Sequence, residues 1–176
     1  MKIWKYLPAI VFQFFLQLGC AQIPENRPPT RNPEFDQKLS KLLNFSVPLI
    51  GVSELKDIQR EVYIFDTREW DEYQVSHIKG ANYLGYDNFD KNRLKDVPKD
   101  ATIVLYCSVG YRSEKIGDKL KQMGYQKVFN LYGSIFEWVN QGNPIVDMNG
   151  NATNRLHTYN KAWSKWVEPG KAKKTW

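Results

Sequence analysis

Two short stretches of this chain, VYIF at residues 62–65 and TIVLY at residues 102–106, are apolar almost throughout instead of alternating with polar residues. A strand with such a run needs cover on both faces, as parallel strands between layers of helices have. Other apolar runs are VPLIGV from residue 47, ANYL at 81–84 and KVFNL at 127–131. Stretches of helical composition separate or follow these runs, namely SELKDIQRE, EWDEYQV, FDKNRLKDV, RSEKIGDKLKQMGY and SIFEWVNQG. The alternation predicts an α/β domain with a central, mostly parallel β-sheet flanked by helices on both faces.

The stretch after residue 106 has the periodicity of an amphipathic helix. Ile116, Leu120 and Met123 fall four and three residues apart and form one apolar stripe, and Gly124 suits a left-handed C-terminal cap. In open α/β sheets, ligands bind beyond the carboxyl ends of the strands. Cys107 directly follows the apolar run and is therefore expected in that region.

The segment CSVGYR, residues 107–112, has the composition of a tight loop between a strand and a helix. Its backbone N–H groups can converge on an anion, Gly110 allows a positive φ, and Arg112 adds a permanent cation. A free thiol has a pKa of about 8.5, and a helix N-terminus with a nearby cation lowers it. Cys107 is thus a candidate nucleophile, and the alternative is a buried, inert cysteine. The remaining loop residues are Ser108, Val109 and Tyr111.

Three segments, IFDTREWDEYQVSHIKGANYL, CSVGYRS and MGYQKVFNLYGSIFEWVNQGNPI, resemble the rhodanese family of sulfurtransferases in order and spacing, over about residues 47–147. The resemblance implies a single rhodanese-like domain in which Cys107 carries a persulfide cradled by residues 108–112. It further implies transfer of sulfane sulfur from thiosulfate or a related small anionic donor to a thiol or cyanide, with a protein as a further candidate acceptor. No cofactor is implied, and Arg112 is expected to act with Cys107 in catalysis.

The other motif residues are assigned by the same resemblance. Asp66 and Arg68 match a DxR signature, and with His77 they are expected to support the loop without direct catalysis. Further matches to the family segments are Glu72, His77, Gly80, Ala81 and Trp138. The chain departs from the family pattern at Ser76, Lys79 and Ser134, which stand where Gly, Pro and Gly are usual. At these three positions the resemblance does not predict the local turn geometry.

Two alternative functions use the same thiolate. One is a non-enzymatic persulfide carrier or redox module that docks a partner protein. The other is a cysteine phosphatase or arsenate reductase, in which five residues separate the cysteine from the arginine. Only four separate Cys107 from Arg112, so the smaller ring disfavours a tetrahedral oxyanion.

The first residues, MKIWKYLPAIVFQFFLQLGC, combine a basic start with a short apolar stretch and are typical of a signal peptide, assigned to residues 1–19. The ending QLGC resembles a bacterial lipoprotein signal, which makes Cys20 a candidate for lipidation. Residues 20–46 contain several prolines among polar residues and are predicted to form a flexible tether. The protein is therefore expected to be exported and membrane-anchored, facing the periplasm or the cell exterior.

The segment 148–176 is expected to form an aromatic helix and a basic tail. Leu156, Tyr159, Trp163 and Trp166 recur at helical steps, and His157 would belong to the same helix. The net charge of +6 comes partly from lysines near the two ends and does not indicate nucleic-acid binding. The chain has two histidines and no Cys/His pair with ligand spacing, so no metal site is predicted.

Overall fold

The computed structural model of the protein describes residues 23–176, so the predicted signal peptide and Cys20 lie outside the described residues. The helices are α1 (Pro33–Leu42), α2 (Val52–Ile58), α3 (Trp70–Val75), α4 (Tyr111–Gln122) and α5 (Ser134–Asn140). The strands are β1 (Leu49–Ile50), β2 (Tyr63–Asp66), β3 (His77–Ile78), β4 (Asn82–Tyr83), β5 (Thr102–Tyr106), β6 (Lys127–Leu131), β7 (Ile145–Val146), β8 (Ala152–Thr153), β9 (Arg155–His157) and β10 (Lys173–Thr175). Within residues 23–176, no helix has the length and apolar character needed to cross a membrane.

Five strands form the central sheet, in the spatial order β1-β6-β5-β2-β4, and every neighbouring pair is parallel. The two apolar runs are β5, in the middle, and β2 beside it. On β5, Val104 and Tyr106 join a core cluster with residues of α1, α2 and α5, whereas Ile103 and Leu105 join a second cluster with residues of α4. Both faces of the sheet are thus covered by helices, which confirms the predicted fold class.

The predicted helix after residue 106 is α4. Ile116 and Leu120 of its apolar stripe are fully buried, and Met123 packs at the edge of the same cluster. Gly124 has φ +88, the left-handed conformation expected after the helix end. The stretch FDKNRLKDV, by contrast, forms only a short 3-10 turn at Lys91–Leu94.

The tether prediction is wrong for much of residues 20–46, because residues 33–42 form α1. The side chain of Asn32 caps the helix by accepting from the N–H groups of Glu34 and Phe35. Phe35 and Leu39, four residues apart, are fully buried in the core. Ahead of the helix, the guanidinium of Arg27 donates to Asp36 and to the Tyr132 hydroxyl, each at 3.2 Å. This segment is therefore part of the folded domain.

The prediction of an aromatic helix in residues 148–176 is also wrong. His157 lies in β9, which pairs in parallel with β10, and the only helical turn of this segment is a 3-10 turn at Ser164–Trp166. Tyr159 has φ +65, which interrupts any right-handed helix at that point. The aromatic side chains contact different surfaces of the domain, so their helical spacing does not reflect a helix.

Candidate active site

The Cys107 loop joins the middle of the sheet to the N-terminus of a helix. β5 ends at Tyr106, and α4 begins at Tyr111, with Gly110 as its N-cap at φ +115. The N–H of Gly110 donates to the Sγ of Cys107 at 3.1 Å. The thiol therefore lies at the positive end of α4, where a backbone donor stabilises negative charge.

Burial and local charge act on the thiol in opposite directions. Cys107 is 1% exposed, and burial alone would raise its pKa. The positive charge of Arg112 and the backbone N–H groups of Ser113, Gly110 and Val109 outweigh burial and hold the pKa of the Cys107 thiol below its ordinary value. This environment favours the thiolate, which is the nucleophilic form.

Side chains from β6, α4 and α5 fix the shape of the Cys107 loop. The amide of Asn130 and the hydroxyl of Ser113 both donate to the carbonyl of Gly110, at 3.0 and 3.1 Å. The hydroxyl of Ser134 accepts the N–H of Cys107 at 3.2 Å. Ser134 has φ +53, a conformation that favours glycine, which explains why glycine is usual there.

Glu72 holds Arg112 and Ser108 from α3. The two terminal nitrogens of Arg112 donate to the two carboxylate oxygens of Glu72 at 2.6 and 2.8 Å, a bidentate pair. The hydroxyl of Ser108 donates to the same carboxylate at 3.0 Å. Burial acts to raise the pKa of Glu72, but hydrogen bonds and charge from Arg112 hold it below its ordinary value, so Glu72 stays ionised. The sequence places Glu72 in a family motif but does not indicate its role in the site, because its pairing partner Arg112 is 40 residues away in the chain.

Asp66 and Arg68 form a buried ion pair, with 2.7 Å between the Arg68 Nη2 and the Asp66 Oδ2. Both side chains are fully buried, and the Arg68 guanidinium also donates to the carbonyl of Ser76. Ser76 is in extended backbone, φ −174, which any residue can adopt in place of glycine. The pair ties the end of β2 to the turn before β3, consistent with support of the loop.

His77 lies in β3 and stacks on Tyr73, with ring centroids 4.1 Å apart. Burial lowers the pKa of His77. Neither His77 nor the Asp66–Arg68 pair is among the residues that line the cavity described next. Their predicted supporting role stays a prediction.

Lys79, where proline is usual, is exposed, and its carbonyl accepts from the Gln59 amide at 2.7 Å.

A cavity of about 310 Å³ opens above Cys107. Loop residues that line it are Cys107, Ser108, Val109, Tyr111 and Arg112. The remaining lining residues are Leu42, Glu69, Tyr86, Asp87, Tyr159 and Trp163. None of this second set is recognisable as a site residue from the sequence. Leu42 lies in the segment expected to be a tether, Tyr159 and Trp163 lie in the segment expected to form a packing helix, and no local pattern indicates their position beside Cys107.

The carboxylates, histidines and cysteine do not assemble into a metal centre in the part of the chain that the structure describes. No group of three or more His, Cys, Asp or Glu side chains within residues 23–176 is placed to hold a metal ion.

A family model for the rhodanese-like domain matches residues 52–141 of the chain. A sulfurtransferase from Allochromatium vinosum is 43% identical over 58 residues, which are 33% of this chain and 54% of that protein. A probable adenylyltransferase/sulfurtransferase MoeZ from Mycobacterium tuberculosis is 32% identical over 93 residues, which are 52% of this chain and 24% of that protein. The chain thus spans about half or less of the length of these relatives.

Solved structures show the same fold. The rhodanese-like domain of the Alr3790 protein from Anabaena has a TM-score of 0.53 at 21% identity, and the match covers 57% of this chain and 80% of that one. The BH2092 protein from Bacillus halodurans has a TM-score of 0.54 at 20% identity, over 68% of this chain and 89% of that one.

Proposed function

Because the chain belongs to the rhodanese-like domain family, we propose that it transfers sulfane sulfur from thiosulfate or a related donor to a thiol or cyanide, through a persulfide on Cys107. The observation that carries the proposal is the position of the Cys107 Sγ, 3.1 Å from the N–H of Gly110 at the start of α4, with a lowered thiol pKa. The lowered pKa increases the thiolate fraction, and Cys107 lines a cavity in which a donor could meet it.

In the first half-reaction, the Cys107 thiolate attacks the outer sulfur of the donor. A bond forms between Sγ and that sulfur, the donor's S–S bond breaks, and sulfite leaves thiosulfate with the bonding electron pair. The product is a persulfide anion on Cys107. The N–H of Gly110 already donates to the Cys107 Sγ at 3.1 Å, so a donor is in place beside the new anion before transfer begins.

In the second half-reaction, the acceptor attacks the outer sulfur of the persulfide. With cyanide the product is thiocyanate, and the Cys107 thiolate is restored with the electron pair of the broken S–S bond. Arg112 lies beside the loop and favours the anionic forms of Cys107 in both steps, since its charge lowers the thiol pKa.

The test is mass spectrometry on the full chain, purified in detergent, before and after thiosulfate. The peptide containing Cys107 should gain about 32 Da, one sulfur atom, as expected of a covalent intermediate, and cyanide should remove it. Cys107→Ser is the control and should gain nothing. No adduct from several sulfane donors on a folded, reduced protein would contradict the proposal.

A carrier role shares the first half-reaction and differs in the second. A putative sulfur carrier protein YrkF from Bacillus subtilis is 29% identical over 96 residues, which are 53% of this chain and 51% of that protein. A Cys107 adduct that cyanide and small thiols fail to discharge would favour a carrier with a protein acceptor. Rapid discharge by cyanide or a thiol would favour the enzyme.

We further propose that the protein is exported and anchored through a lipid on Cys20. The proposal is supported by the basic start, the apolar stretch and the QLGC ending of residues 1–20. Metabolic labelling with a fatty acid should label the wild-type chain and not Cys20→Ser. A mature N-terminus at an unmodified residue after Cys20 would contradict lipidation.

A further inference from the structure

The cavity above Cys107 is larger than a small inorganic anion requires. Its volume of about 310 Å³ falls at the lower end of the range found for sites of organic ligands, roughly 300–1,000 Å³. Thiosulfate has five atoms and would occupy a small part of it. The remaining space lies against side chains that the bound sulfur would not reach.

The charges around the cavity do not favour a dianion. Among the described residues that line it, Arg112 is the only cationic side chain, and both of its terminal nitrogens are already paired with Glu72. Glu69 and Asp87 add carboxylates to the lining. A dianion such as thiosulfate would gain little from an arginine already paired with Glu72, so we expect it to be a slower donor than a singly charged compound.

Most of the remaining wall is apolar or aromatic, and part of it comes from outside the family match. Leu42 of α1 and Tyr159 and Trp163 of the C-terminal segment lie outside residues 52–141. Val109, Tyr111 and Tyr86 complete this surface. The wall is thus a property of this chain and not of the matched domain alone.

The two outer segments support each other behind the cavity. Trp166 stacks on Phe35 of α1, with ring centroids 5.4 Å apart. The side-chain amide of Asn140 donates to the carbonyl of Trp166 at 2.9 Å, and its oxygen accepts the N–H of Glu168 at 2.9 Å. These contacts fix the segment that carries the wall against α1 and α5.

Tyr159 has the most unusual position in this wall. It is 53% exposed, yet its ring lies over the guanidinium of Arg112, with 5.2 Å between the guanidinium carbon and the ring centroid. Its backbone has φ +65, a conformation that costs about 1–2 kcal/mol for a residue other than glycine. An exposed aromatic ring held in a strained conformation at the mouth of a reactive site is a candidate for ligand contact.

We propose that this cavity selects sulfur donors that carry an apolar or aromatic substituent, and that Tyr159 is a specificity-determining residue for them. The proposal rests on the proposed sulfur transfer by Cys107 and names its substrate class. For a thiosulfonate R–SO₂–S⁻, the Cys107 thiolate bonds to the terminal sulfur, the S–S bond breaks, and the sulfinate R–SO₂⁻ leaves with the bonding pair. The substituent R meanwhile occupies the aromatic wall.

The test compares benzenethiosulfonate with methanethiosulfonate, two singly charged donors that differ in the substituent, with thiosulfate as a third. In the wild-type protein, kcat/KM for the benzene donor should exceed that for the methane donor by on the order of tenfold to a hundredfold, since apolar contacts differ by several carbon atoms. A ratio below about threefold would overturn the proposal.

Tyr159→Gly is the decisive variant, because glycine adopts the positive φ without strain and the fold should be retained. The ratio should fall several-fold in Tyr159→Gly, in which the other wall residues remain, and should stay high in Tyr159→Phe, which keeps the ring. Tyr63→Ala changes a tyrosine that is 38% exposed and does not line the cavity, and it should leave the ratio and the activity unchanged. An unchanged ratio in Tyr159→Gly would overturn the role of Tyr159.

Failure of the proposed transfer has a different signature, since then no donor modifies Cys107. In that case, the binding of sulfinates to Cys107→Ser tests the selectivity of the cavity. Benzenesulfinate should bind Cys107→Ser on the order of tenfold more tightly than methanesulfinate, measured by tryptophan fluorescence, because Trp163 lines the cavity. Equal or undetectable binding of both sulfinates would overturn the selectivity itself.

Discussion

Glu72→Gln should destabilise the domain strongly although it changes few atoms. The carboxylate of Glu72 accepts hydrogen bonds from Arg112 twice, from the Ser108 hydroxyl and from the N–H of Glu69. The Glu72 and Arg112 side chains are 3% and 13% exposed, so the remaining charge would stay largely buried. Removing one partner of a buried pair costs about 3–5 kcal/mol. Glutamine keeps one oxygen, which places the expected loss near 3 kcal/mol.

The assay is urea unfolding of the full chain, with thermal unfolding as a second measure. A loss of 3 kcal/mol corresponds to a decrease in Tm of roughly 6–12 °C for a domain of this size. Glu61→Gln, which changes an exposed glutamate, is the matched control and should lie within about 0.5 kcal/mol of wild type. The double variant with Arg112→Gln should show a coupling above about 1 kcal/mol.

The loss of stability in Glu72→Gln should also depend on pH and should be smaller in acid. The folded protein holds the pKa of Glu72 below its ordinary value, so its contribution is present above the unfolded pKa of about 4.3 and is lost as pH falls through the folded pKa. The difference between wild type and Glu72→Gln should therefore shrink below about pH 4. A loss under 1 kcal/mol at pH 7, or additive effects in the double variant, would refute the reasoning.

Alkylation of Cys107 by iodoacetamide, followed on its peptide, should have its midpoint at a lower pH than alkylation of free cysteine measured alongside, because Arg112 and the backbone N–H groups outweigh burial and lower the thiol pKa. Arg112→Gln should raise the midpoint, and a wild-type midpoint at or above that of free cysteine would contradict the site electrostatics. Ser134→Ala should cost about 1 kcal/mol in urea unfolding through the lost acceptor for Cys107, whereas Ser134→Gly should cost less because glycine relieves φ +53. Equal losses would argue against this account. Trp166→Ala should cost about 1–3 kcal/mol through the lost stacking on Phe35, and an unchanged midpoint would contradict that packing.

The central sheet could be predicted because its signal is local. The continuously apolar runs at 62–65 and 102–106 predicted strands covered by helices on both faces. Ile116 and Leu120 are four residues apart, which predicted one buried face of α4. The position of Cys107 between a strand and a helix followed directly from these two elements. Local periodicity and loop composition therefore determined both the fold class and the place of the nucleophile.

The outer segments were predicted incorrectly for identifiable physical reasons. The prolines of residues 20–46 favoured the prediction of a flexible tether. However, Pro33 occupies the first position of α1, where proline is favoured, and Asn32 caps the helix. In the tail, Tyr159 and Trp166 have helical spacing but contact Arg112 and Phe35 respectively. The pairing of β9 with β10 joins residues 18 positions apart, such as Arg155 and Lys173, and such tertiary contacts leave no periodic signal.

The Glu72–Arg112 pair was missed for a related reason. Each residue was recognised within its own motif, but which carboxylate meets which guanidinium depends on how α3 and α4 are placed around the sheet. Short polar contacts over 40 residues of separation follow from the fold and cannot be read from spacing alone.

The bonds of Arg27 to Asp36 and Tyr132 fix where the folded domain begins. If Cys20 carries the proposed lipid, Arg27 is the seventh residue after the anchored one, and seven residues span at most roughly 25 Å even when fully extended. A connecting segment this short would keep the domain within about one protein diameter of the bilayer surface. It would encounter sulfur compounds at the lipid headgroups more often than compounds in the bulk solution, and an acceptor embedded in the same membrane would meet it by diffusion in two dimensions.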